Sequence, residues 1–329
     1  MTLERISEHT ASIGTAPLTP TSEHLLDLPG VTDGLRYQLA YWSGTVHNLL
    51  VRHRLRAANV QTCAARVHIT PALRDEWQQL YGDAGAEVPV PYLYNQSVGT
   101  LLYTRIFRDL GMNFRHLLHV QHQTTHYLSV PDWVAAADQE LHASLRGAWR
   151  LGDGKALIAT RIAIHRPRED GGALLGTVND RFMIGNVRSN DLANLASGRP
   201  LMRSISALRR KDPELDRTAP GTRLASIPLP HDLGRKFGRV SGDRNPVHTT
   251  AFAARLFGMP RPFLQGLGLR NALVRQLVLA GYPLTRFQLS FTRPAYLGQT
   301  LTLVMQDSEF EVVDEGMRVV AFGSATDAR

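Results

Sequence analysis

The last third of the chain sets one long apolar helix ahead of four strand-like segments, and that order constrains the architecture more than any other feature. The spacing predicts a helix over Phe263–Ala280, opened by Pro262. Leu267, Leu269, Ala272, Leu273, Leu277 and Leu279 form a broad apolar face, with Arg270, Asn271, Arg275 and Gln276 on a polar one. Beyond it Thr285–Arg293, Gln299–Ser308, Glu309–Val313 and Met317–Ser324 read as strands. Turns at Gly281–Tyr282–Pro283, Leu297–Gly298 and Glu315–Gly316 separate them, and Pro294 predicts a bulge or an edge. An antiparallel sheet needs a covering layer on one face, so an α+β unit follows.

The first half has the same order in coarse outline, without residue-by-residue repetition. A strand over Val60–Ile69 and a helix over Pro71–Leu80 precede the better helix Leu93–Leu110, which carries Val98, Leu101, Leu102, Ile106 and Leu110 at helical spacing. Leu117–Val130, Glu140–Leu151 and Ala156–His165 then read as strands. A chain of 329 residues is long enough for about two domains. The expected division is an N-terminal arm over 1–30, a first unit over 31–170, a connecting segment over 171–219 and a second unit over 220–329.

The formal charge of +8 is scattered, and the densest cluster, Arg209–Lys211, lacks interleaved aromatics. Nucleic-acid binding is therefore not expected, whereas an anionic ligand suits the balance. The lone Cys63 excludes an internal disulfide and a thiolate metal cluster. The first 18 residues carry Glu4 and Glu8 and lack a targeting pattern, and no apolar run reaches membrane-span length, so a cytoplasmic protein is the expectation. His116, His119, His122 and His126 would line one side of a helix, where they could bind zinc, but would split between the faces of a strand. The surrounding Val, Thr and Tyr favour a strand, so no metal site is expected and a wet or interdomain sheet face is.

Phe237–Ala254, reading FGRVSGDRNPVHTTAFAA, gathers Asp243, Asn245 and His248 among turn residues. Read as structure, an Asp, Asn or Thr here caps the following helix. Read as chemistry, a turn brings Asp243 and His248 together over a substrate, to share a water or a proton.

The stretch FGRVSGDRNPVHTTAFAARLFGMPRPFLQGLGLRNAL, followed by FTRPAYLGQTL, resembles the MaoC-like, or R-specific enoyl-CoA hydratase 2, family. The resemblance covers residues 220–325 strongly and 35–165 weakly. It implies a double hotdog fold, each unit a curved antiparallel sheet around a central helix, with the first unit degenerate and non-catalytic. It further implies reversible hydration of trans-2-enoyl thioesters or dehydration of (R)-3-hydroxyacyl thioesters, without metal or redox cofactor. Coenzyme A or a phosphopantetheine carrier enters as part of the substrate, the partner is an acyl-CoA or acyl-carrier-protein thioester, and a homodimer is the expected association. The alternatives are a dehydratase of carrier-bound polyketide or lipid intermediates and a non-catalytic acyl-thioester-binding scaffold.

The resemblance assigns Asp243 and His248 to water and proton handling, Asn245 to orientation, and the backbone at Gly266 to the oxyanion. Gln265 stands where many members have His, and is expected at the substrate. Arg261 and Arg293 are the expected phosphate contacts, and Tyr92, Tyr94 and Leu101 the expected acyl-pocket lining.

Overall fold

The structure, a computed structural model, describes residues 62–68, 71–80, 102–103, 106–107, 112, 117–127, 138–152, 154–185 and 212–327. The strands are β1 (Thr62–His68), β2 (Leu117–His126), β3 (Asp138–Gly152), β4 (Lys155–His165), β5 (Leu174–Ile184), β6 (Arg223–Leu229), β7 (Arg286–Phe291), β8 (Gln299–Gln306), β9 (Glu309–Val313) and β10 (Val319–Thr326). They form one curved, open antiparallel sheet in the order β1-β3-β4-β5-β2-β7-β10-β9-β8-β6. The helices are α1 (Pro71–Leu80), α2 (Leu233–Ser241), α3 (Ala251–Leu256) and α4 (Gly266–Leu279). The α+β expectation therefore holds.

Strand order repeats across the sheet. From the outer edge inward, the N-terminal strands run first, third, fourth, fifth, second, and β6 to β10 repeat that succession. The two second strands, β2 and β7, meet in the middle and pair antiparallel from Gln121↔Ser290 to Thr125↔Arg286. One apolar cluster runs through both halves: Leu102, Tyr103, Ile106 and Phe107 belong to it, as do Leu267, Leu273, Leu277, Phe287 and Phe310. The first four are helical where described, at the spacing expected for a helix across the N-terminal strands.

Four sequence expectations change. Helix α4 begins at Gly266 rather than Phe263, because Phe263 bridges to Tyr296 while the Leu264 amide donates to the Ala295 carbonyl. Backbone groups so engaged cannot also form a helical turn. Arg270 and Asn271 are fully buried instead of facing water. Arg270 Nη1 donates to Asn271 Oδ1 at 3.0 Å and its guanidinium lies 5.6 Å from the Phe287 ring centroid, so the charge is both bonded and packed. The segment 171–219, expected to be a connection, contains β5, which fills the gap between β4 and β2. Its alternation of apolar and polar residues is interrupted by Asp180, which falls on the buried side and hides the strand. Pro294 lies beyond β7, which ends at Phe291, and so marks a strand end and not a bulge.

Deleting apolar volume from α4 should be felt across the sheet. Leu273 is fully buried in the shared cluster, so Leu273→Ala is expected to lower unfolding stability by about 2–5 kcal/mol, read from urea titration.

Candidate active site

Helix α2 builds the back of the site. Gly242 ends it in the left-handed conformation (φ 77°), turning the chain into Asp243. Gly234 and Gly238 lie on the same side of this helix, one turn apart. A Cβ on Gly234 would collide with the His248 carbonyl oxygen, and one on Gly238 would stand 2.7 Å from that of Asp243. The sequence folds this way because only glycine lets the loop lie so close to the helix.

Local hydrogen bonds shape the loop itself. Asn245 Oδ1 accepts from the Val247 amide at 3.3 Å and caps a short 3₁₀ turn, Pro246–His248. The backbone N–H of Asn245 donates to Asp243 Oδ1 at 3.4 Å. The capping reading of the motif is thus met at Asn245, which spends its side-chain oxygen on the turn. Thr250 caps α3 through the Ala253 amide.

His248 is buried, with its ring edge-on to Phe263 at 4.8 Å. Its Nδ1 lies 2.9 Å from the Phe263 carbonyl oxygen, which can only accept. The proton of the neutral ring is therefore on Nδ1, and Nε2 carries the free lone pair. Burial lowers the His248 pKa, outweighing the nearby Asp243 charge and the Phe263 carbonyl, which raise it. The ring is accordingly neutral at pH 7.

Gln265 joins these parts. It is almost wholly buried, and its Nε2 donates to the Gly234 carbonyl at 3.1 Å and the Asp243 carbonyl at 3.0 Å. Two acceptors at one end of the amide identify that end as nitrogen. Oε1 is buried without a hydrogen-bond partner among the described residues, so it is the acceptor that Gln265 can offer a ligand. Because the side chain turns back to α2, it makes no cap bond to α4. The first amides of a 14-residue helix are left without that cap, a setting that suits negative charge.

The remaining expected residues are more dispersed. Arg261 is exposed, 5.2 Å from the Tyr296 ring centroid and 3.4 Å from Gln299 Oε1. It braces the outer side of the segment that supplies the Phe263 carbonyl. Arg293 is half-buried just after β7. Tyr92, Tyr94 and Leu101 lie outside the described residues.

A second polar cluster was only partly foreseen. Asp180 Oδ1 accepts from His119 Nε2 at 2.8 Å and His122 Nδ1 at 2.7 Å, and Oδ2 accepts from the Tyr103 hydroxyl at 3.0 Å. The two histidines were expected on opposite strand faces, but a bulge between His119 and Gln121 brings them to one side. Three such residues could gather around a cation. Their nitrogen–oxygen separations are instead those of hydrogen bonds, whereas donors around a tetrahedral zinc stand roughly 3.4 Å apart. Burial pushes the His122 pKa down to about 4 despite Asp180, and the two imidazoles hold the Asp180 carboxyl well below its usual range. His126 is also driven down by burial.

Comparison with known proteins shows what these features resemble. Residues 216–328 match the model described as MaoC like domain. The chain is 30% identical over 179 residues to 3-hydroxyacyl-thioester dehydratase Y of Mycobacterium tuberculosis, covering 51% of this chain and 59% of that protein. It is 29% identical over 75 residues to 3-hydroxyacyl-thioester dehydratase X of the same organism, covering 23% and 27%. The chain thus spans less than two thirds of the length of either relative. The crystal structure of HtdX from Mycobacterium tuberculosis superposes with a TM-score of 0.59 at 16% identity, covering 82% of this chain and all of that one. A MaoC-like dehydratase from Phytophthora capsici gives 0.57 at 14%, covering 83% and 98%. These two likenesses show a shared fold. Through residues 216–328 the chain is similar to the MaoC like domain family.

The buried histidines set a stability profile. His122, His126 and His248 resist protonation when folded but take up protons near 6.5 when unfolded. The unfolded chain then binds more protons, so stability should fall as pH drops from 6.5 toward about 4. The urea midpoint is expected to be lower at acidic than at neutral pH, and an unchanged or higher one would contradict the assignment.

Proposed function

We propose that this MaoC-like chain catalyses reversible hydration of trans-2-enoyl thioesters, or dehydration of the matching (R)-3-hydroxyacyl thioesters. The observation that carries the reading is the Nδ1–H of His248 on the Phe263 carbonyl, which frees Nε2 as a base in the loop that also holds Asp243. Two curated relatives named as 3-hydroxyacyl-thioester dehydratases support the substrate class.

In the hydration direction a water sits between the Asp243 carboxylate and His248 Nε2. One of them takes a proton as the water oxygen bonds to C3. The carbon–carbon π electrons shift toward the thioester oxygen, and the enolate so formed takes that same proton at C2 from the group that received it from the water. The developing charge meets the open start of α4 at Gly266, where oriented backbone amides and the helix dipole are already in place. Asn245 orients the reacting groups through its amide nitrogen. Gln265, tied to Gly234 and Asp243, holds the loop and the helix start in register. Arg261 and Arg293 are the candidate contacts for the phosphates of coenzyme A or a phosphopantetheine carrier.

The repeated strand order supports two hotdog units, with the second bearing the acid–base pair. In this reading the first unit extends through β5, and the segment that follows, up to about residue 219, connects the two. Tyr92, Tyr94 and Leu101 of the first unit remain the proposed acyl lining.

Asp243→Asn and His248→Gln should each lower turnover of an enoyl-CoA at least about a hundredfold while leaving the urea midpoint near that of the parent. Near-parental turnover in both folded variants would defeat the proposal.

A further inference from the structure

The N-terminal half holds a polar device that the acid–base chemistry does not use. Asp180 and His122 are fully buried, whereas the His119 side chain keeps 15% exposure. Two acceptors surround His119 Nε2, the Asp180 carboxylate at 2.8 Å and the Gln121 carbonyl at 3.0 Å, so Nε2 bears the proton. The ring is further clamped by stacking on Phe182 at 4.7 Å and by Phe291 at 5.1 Å. A ring fixed from three sides has one hydrogen-bonding atom left, Nδ1.

That atom faces the start of α4. A Cβ on Gly266 would stand 3.5 Å from His119 Nδ1 and 3.4 Å from Phe291 Cζ. The imidazole of one half therefore lies over the helix end that the other half presents to the thioester. This juxtaposition follows from the bulge in β2, which turns His119 toward the same side as His122, and from the pairing of β2 with β7. Packing alone would be met by an apolar side chain, and a buried carboxylate with three donors is a costly way to fill space.

Resting on the function proposed above, we infer that His119 is a substrate-contacting residue supplied by the N-terminal half. Its Nδ1 accepts a hydrogen bond from the N–H of the pantetheine amide that adjoins the thioester held at Gly266, and Asp180 acts as its positioning residue. The ligand group is the pantetheine amide beside the thioester, not the acyl tail.

The test compares His119→Ala and His119→Gln with the parent on trans-2-enoyl-CoA substrates of several chain lengths. Gln keeps a donor where Nε2 meets Asp180 and removes Nδ1. Both variants should lose kcat/KM by at least about tenfold, by a similar factor at every chain length. Asp180→Asn should show a smaller loss that does not add to that of His119→Gln. A parental kcat/KM in folded His119→Gln overturns the inference, as does a loss that grows with acyl length, which would place His119 in the acyl pocket. A parent inactive on every enoyl thioester overturns the hydratase reading and this inference with it. Should the variants not fold, nitrogen NMR of the parent decides. Saturated butanoyl-CoA should shift the His119 Nδ1 resonance, and an unmoved resonance counts against the contact.

Discussion

The pairing of β2 with β7 is the constraint on which the rest of the molecule depends. Among the described residues each half contributes five strands, and without this junction each would expose an unpaired inner edge. Joined, the described strands have β1 and β6 at the margins and bury Thr124 and Phe287 where the halves meet. The junction also has a chemical effect. It sets a strand of the N-terminal half beside the start of α4, so that groups from both halves share one region.

Around that junction the interior is unusually polar. Asp180, His122, Arg270 and Asn271 are all buried, each in a bonded network or against a ring. Such groups contribute little net stability, because desolvation offsets much of their mutual attraction. Their bonds are directional, however, and directional bonds fix side chains that an oily core would leave free to repack. The same economy appears in the loop, where Asn245 and Gln265 join backbone segments and keep Asp243 and His248 in place.

Much of this was legible in the sequence. Periodicity located β8, β9, α1 and most other strands, because their apolar faces alternate or repeat regularly. SGDRNPVH identified the loop, since its acid, amide and imidazole crowd among turn residues. What escaped was long-range. Burial of Arg270 depends on Phe287, seventeen positions away, and the shared side of His119 and His122 depends on a bulge opposite β5. The close approach of α2 to the loop could have been suspected from Gly234 and Gly238, spaced one helical turn apart. Strand β5 was missed because Asp180, its most consequential residue, broke the apolar pattern.

The central claim is that a neutral His248 and a nearby Asp243 add water to an enoyl thioester held at the start of α4. The most direct measurement incubates the full chain with a trans-2-enoyl-CoA and determines the configuration of the product. The account predicts the (R)-3-hydroxyacyl thioester alone. Formation of the (S)-alcohol, or no water addition at any acyl length, would contradict it.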